Sequence, residues 1–163
     1  MRILRGALAG AVAGLLGAFA MERFQTLWSE TSKRARPKQT AGAAKDEPTT
    51  VKAAEPVTER VFHAELPDEI KPVAGEAVHY AMGTLSGAIY GAIAEVLPIA
   101  RAGNGLVFGA LLWWIADNMA VPAIGLAKKP SAYPPSTHAY ALSSHLVYGF
   151  VTETVRRILR LVP

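Results

Sequence analysis

Five side chains in otherwise apolar surroundings hold most of the chemistry open to this sequence: Glu95, Asp117, Asn118, His145 and Glu153. Ionisable groups in membrane-length apolar segments are costly, so they face a protein interior or a water-filled cavity. His145 precedes Glu153 by about two helical turns, which puts both on one side of a helix. Pro122 follows Asp117 by little more than a turn and frees backbone carbonyls that a polar partner can satisfy. His79 and His138 lie nearer the ends of their segments.

The set admits three uses. Hydrogen bonds between helices would hold a bundle in register. A chain of Asp, Glu and His would relay protons or pass an ion. A metal or haem site would draw on His79, His145 and the two glutamates. Bundle carboxylate sites use Glu-x-x-His; neither of the two glutamates, Glu95 and Glu153, has a histidine at that spacing, and neither metal nor cofactor is assigned. The chain has no cysteine, which removes thiolate ligands and thiol nucleophiles. "SSH" (Ser143 to His145) is not a nucleophile elbow, and no phosphate-cradling loop follows a strand pattern. The reading is therefore non-enzymatic, with no catalytic residue.

These residues need helices to position them. The 163-residue chain is 51% apolar and 18% charged, below the ~25% charged residues usual in soluble domains. Its charges crowd into the first residues, the span from Glu22 to Glu76, and the C-terminus. About 20 mainly apolar residues cross a bilayer, and four segments reach that length. They run from about Ile3 to Met21 (on to Trp28), Ala77 to Pro98, Gly105 to Leu126 and Thr137 to Leu159. The fourth is the most polar and needs neighbours to shelter it. "IARAGN" and "AKKPSAYPPS" are short connections that make their flanking helices antiparallel.

The expected fold is thus all-α: a polytopic four-transmembrane-helix bundle with residues 1–28 as the first helix, a disordered linker over 29–72, and the remaining helices in 73–163. The linker is rich in Ala, Lys, Glu, Thr and Pro and cannot bury enough apolar surface to offset its ordering entropy. Within it, "TERVFHAEL" (Thr58 to Leu66) reads as linker, with a short surface helix as the alternative. The net charge of +4 sits at the flanks of apolar runs, which points to lipid headgroups and not to nucleic acid. Arg156 and Arg157 read as interfacial anchors.

Glycine spacing supplies the packing. Gly6, Gly10 and Gly14, then Gly83, Gly87 and Gly91, then Gly105 and Gly109, all recur every fourth residue. Such rows form flat grooves where helices in lipid approach closely. The alternative is that small residues are simply common in membrane spans. "YGAIAE" (Tyr90 to Glu95) and "YGFVTE" (Tyr148 to Glu153) share Tyr-Gly-x-x-x-Glu, which reads either as a trace of a duplicated hairpin or as coincidence. Arg2 and Arg5 ahead of an apolar run ending in "AFA" also fit a signal peptide. Because the later segments repeat its glycine spacing, the first segment is read as a retained helix.

"AEVLP" (Ala94 to Pro98), the glycine-rich third segment with its polar residue ahead of "VP", "GLA", and "SSHLVYGFVTETVRR" resemble the YagU-like family of bacterial inner-membrane proteins, whose function is unknown. The likeness covers about Tyr90 to Arg157, at Glu95, Pro98, Pro122, Gly125, Leu126, His145, Glu153, Arg156 and Arg157. Where that family has a histidine in the third helix, this chain has Asp117, which argues against a strict metal-ligand role. The resemblance implies an inner-membrane location and tilts the orientation toward cytoplasmic termini; the basic flanks alone nearly balance between the two sides. The resulting expectation is an integral inner-membrane component of assembly or envelope homeostasis. Lipids, a second copy or another membrane protein are its partners. The alternative is a proton- or ion-handling component using Glu95, Asp117, His145 and Glu153.

Overall fold

The computed structural model describes residues 1–35, 50–54 and 67–161. These are helical apart from turns and connections, with no strand among them. Helix α1 spans Arg2–Ala35, α2 Lys71–Val96, α3 Leu106–Ile115 and α4 Pro135–Leu161.

Local sequence explains the breaks. Leu97 precedes Pro98, which disfavours the helical region at that residue; its φ/ψ of −125°/88° ends α2. A 3-10 stretch, Pro98–Gly105, then reverses the chain, with Ala102 extended and Gly103, Asn104 and Gly105 at positive φ. Asn104 is the one non-glycine residue described at positive φ, and its side-chain amide donates to Thr154 Oγ1 at 2.9 Å. Pro134 and Pro135 lead into α4, where proline suits a first helical turn that has no amide partners.

Three expectations need correction. Helix α1 continues seven residues past Trp28 to Ala35. Ser29 and Thr31 there satisfy their hydroxyls on the carbonyls of Thr26 and Leu27, so the polar residues do not break the helix. At the linker's far end, α2 begins at Lys71, ahead of Ala77, with Pro72 in its first turn. Residues 50–54 form a helical turn whose Val51 and Ala54 are buried, with Val51 close against Gly75. The rest of the predicted linker, "TERVFHAEL" included, lies outside the described residues.

The third correction concerns the third segment, which is not a single regular helix. After α3 it widens into a π-helical turn, Ala116–Ala120, and closes with a short α-helical turn, Val121–Ala123. Pro122 is the cause. A proline ring in a helix clashes with the carbonyl four residues back and lacks its own N–H. Here the Val121 amide bonds Ala116 O, five residues back, and Asn118 Nδ2 reaches Trp113 O at 3.2 Å.

Helix α1 packs on α2 and α4, and α3 lies on α4. The contacts of Gly6 with Gly91 and of Gly14 with Gly83 make α1 and α2 antiparallel; those of Gly105 with Gly149 and of Gly109 with His145 do the same for α3 and α4. The interior holds small and polar residues: Ala13, Ala18, Ala94, Ser144 and Thr152, with Tyr90 and Tyr148 as the large side chains. Large apolar residues point outward along every long helix, among them Leu8, Leu15, Phe19, Leu85, Ile89, Leu111, Trp114 and Phe150.

Candidate functional site: an arginine–glutamate network at one end

The glycine rows carry the helix contacts that bring the polar residues together. A Cβ built on Gly10 would lie 2.8 Å from Gly91 Cα, and one on Gly14 the same distance from Gly87 Cα. The second hairpin repeats the scheme. A Cβ on Gly149 would lie 2.9 Å from Gly109 Cα and would strike the Gly105 carbonyl, as one on Gly91 would strike that of Gly6. Glu95 sits against Gly6, and Glu153 against Gly105. Each Tyr-Gly-x-x-x-Glu segment therefore seats its glycine on a Gly-x-x-x-Gly pair of the preceding helix and turns its glutamate to the same end of the bundle.

At that end the two glutamates share one network. Glu153 is fully buried. It accepts from Tyr90 Oη at 2.8 Å, Arg156 Nε at 2.7 Å, Arg156 Nη2 at 3.0 Å and Arg157 Nε at 2.6 Å. Glu95 accepts from Arg2 Nε at 3.1 Å, Arg160 Nε at 2.9 Å, Arg160 Nη2 at 3.2 Å and Arg156 Nη1 at 3.4 Å. A carboxylate offers about four lone-pair positions, so both are filled as acceptors. Arg156 bridges them and is 2% exposed. This departs from its expected role as an interfacial anchor: the guanidinium belongs to the interior, held by two carboxylates. Arg157 is half-exposed and pairs with Glu153.

Asp117, Asn118 and His145 lie elsewhere. Asp117 faces His145 across the α3–α4 contact, with Asp117 Oδ2 3.8 Å from His145 Nδ1; the same nitrogen is 2.9 Å from Ala141 O. His79 and His138 rest on backbone carbonyls of Ala18 and Pro130 at 3.2 and 3.0 Å. The sequence-derived set thus divides into a glutamate pair at one end and an Asp–His pair at the π turn. Among the described residues no group of three or more His, Asp and Glu side chains could hold a metal ion.

Sequence reasoning did not assign Arg2, Arg101, Arg160 or Tyr90 to the site. Arg157 stands four residues after Glu153, a visible helical spacing. Arg2 and Arg160 meet Glu95 across 93 and 65 residues, which no local pattern reports. The repeated tyrosine was the available signal for Tyr90.

The fold and the network thus describe an all-helical protein with polar groups gathered inside and at one end. Residues 43–154 match the family described as "Protein of unknown function (DUF1440)", and the chain belongs to that family. The match takes in both glutamates, the Asp117–His145 pair and Arg101, and ends before Arg156, Arg157 and Arg160. No enzymatic family is indicated by it. No curated protein and no solved structure matches the chain.

Proposed function

We propose that this chain is a multi-pass integral protein of the bacterial inner membrane, acting as a non-enzymatic structural component of the membrane or envelope. The carrying observation is the inverted distribution of its side chains. Glu153, Arg156, Ser144 and Thr152 are buried, while leucine, isoleucine, phenylalanine and tryptophan side chains cover the outside. Two segments, Arg2–Ser32 and Pro98–Ala123, are long and apolar enough to cross a membrane. Only 6% of the second segment's most apolar window is buried within the protein, unlike the core helix of a soluble domain. Water-soluble monomers rarely expose contiguous apolar patches above a few hundred Å², whereas lipid contact favours such a surface.

Helices α2 and α4 are more polar in sequence, but Glu95, Glu153, Arg156, Arg157 and Arg160 pair with one another in the network and His145 faces Asp117, and we read both as spans too. Four spans put both termini on one side. The resemblance to YagU-like proteins supports the inner membrane and cytoplasmic termini, with bilayer lipids as the first partners and a second copy or another membrane protein as further ones. The filled acceptors at Glu95 and Glu153 favour a structural role for these carboxylates over proton carriage. Alkaline carbonate washing of isolated membranes tests the reading. The protein should stay in the pellet and leave it only with detergent; release into the wash would overturn it.

A further inference from the structure

At the network end, Arg2, Glu95, Arg101, Arg156, Arg157 and Arg160 line an open cleft of about 440 Å³, with Leu161 at its edge. Five guanidinium groups meet two carboxylates there, counting Glu153 beneath Arg156 and Arg157. An excess of three positive charges remains inside one small cleft. Both carboxylates already accept as many hydrogen bonds as their oxygens offer, so they cannot neutralise a further cation.

Arg101 is the clearest surplus group. Its Nε is buried and has no hydrogen-bond partner among the described residues, although buried polar groups are nearly always paired. It also lines a second, adjoining cleft with Pro98, Ile99, Ala102 and Arg157. Arg157 Nη2 points toward the Arg101 carbonyl at 3.4 Å, which holds the two residues beside each other. Arg2 and Arg157 keep 72% and 52% of their side chains exposed, so they have donors to spare.

We propose that this cleft binds a phosphate group, and that its carrier is the headgroup of an anionic phospholipid. Guanidinium forks match phosphate oxygens bidentately, and three surplus charges suit an anion that brings its own hydrogen-bond acceptors. Choice of the lipid rests on the position of the cleft. Ile3, Leu4, Val96, Leu97, Ile99, Ile158 and Leu161 around it are exposed and offer an apolar surface to acyl chains. This part of the proposal rests on the reading of the chain as membrane-embedded; the phosphate chemistry does not.

Native mass spectrometry of the full-length protein in detergent, titrated with phosphatidylglycerol, phosphatidylcholine and inorganic phosphate, tests it. One phosphatidylglycerol should bind saturably and about tenfold more tightly than phosphatidylcholine. Arg101→Gln should remove most of that preference, Arg101→Lys should restore part of it, and Lys129→Gln at the opposite end should leave it intact. Since Arg101 makes no side-chain ion pair in the network, its substitution should leave the melting temperature near wild type; Arg2→Gln offers a second variant at a largely exposed side chain. Competition by inorganic phosphate at equal affinity would keep the phosphate site and overturn the lipid as its carrier. Equal retention of both lipids by wild type and Arg101→Gln, without phosphate binding, would overturn the proposal. Release by carbonate, in contrast, would overturn the membrane reading and the lipid as carrier with it, and would leave the phosphate site standing.

Discussion

Glu153 shows how one residue can fix a whole end of the molecule. It holds Tyr90 from α2 and Arg156 and Arg157 from its own helix while fully buried. Removing one partner of a buried ion pair leaves an uncompensated charge and typically costs about 3–5 kcal/mol. Glu153→Ala should therefore lower stability by about that much, read as a shifted unfolding midpoint by circular dichroism in detergent. Tyr90→Phe removes a single hydrogen bond to a charged acceptor and should cost about 1.5–3 kcal/mol. Equal losses in the two variants would contradict the weight given to Arg156. At this scale the sequence was legible where partners lie a helical turn apart, as Glu153 and Arg157 do. It was silent where Arg2 meets Glu95, because only the antiparallel return of α2 along α1 brings them together.

Among elements, the glycine rows and the π turn show what pattern alone reveals. A fourfold spacing of small residues is visible in any chain, and here Gly6, Gly10 and Gly14 do lie against Gly91, Gly87 and Gly83. A Cβ on Gly10 would collide with the Gly87 carbonyl, whose backbone cannot swing aside as a side chain can. Gly10→Leu should push α1 from α2 and cost about 1–3 kcal/mol, as overpacking usually does. Gly125 gives the contrasting case. Nothing lies within 4 Å of a Cβ built there, and its φ is +79°, so Gly125→Ala carries only a conformational cost of about 1–2 kcal/mol. Thermal melts of the two variants would separate packing from conformation; a smaller loss at Gly10 than at Gly125 would deny the groove its role. The π turn was less legible. The run from Gly105 to Leu126 is apolar apart from Asp117 and Asn118, and only Pro122 marks where the carbonyl ladder must slip.

For the whole molecule, the proposed membrane reading predicts which way its ends face. Arg2, Arg5, Arg101, Arg156, Arg157 and Arg160 gather at one end, and Lys128 and Lys129 lie in the connection at the other. Counting Lys and Arg at span ends is the usual guide to orientation, but most of the arginines at the first end are held by Glu95 and Glu153. Those ion pairs tie them to structure, so labelling is the direct test of the proposed orientation. The chain contains no cysteine, which makes single-cysteine labelling free of background. Ser131, in the connection ahead of α4, and Leu161, the last residue of α4, are exposed; the 27 residues of α4 extend about 40 Å at 1.5 Å per residue, enough for the roughly 30 Å hydrocarbon core. In intact spheroplasts a membrane-impermeant maleimide should label Ser131→Cys, while Leu161→Cys should react only after permeabilisation. The reversed pattern would keep α4 as a span and overturn cytoplasmic termini. Labelling of both positions from the same side would mean that α4 does not cross, and the buried network would then close a bundle resting on the membrane instead of passing through it.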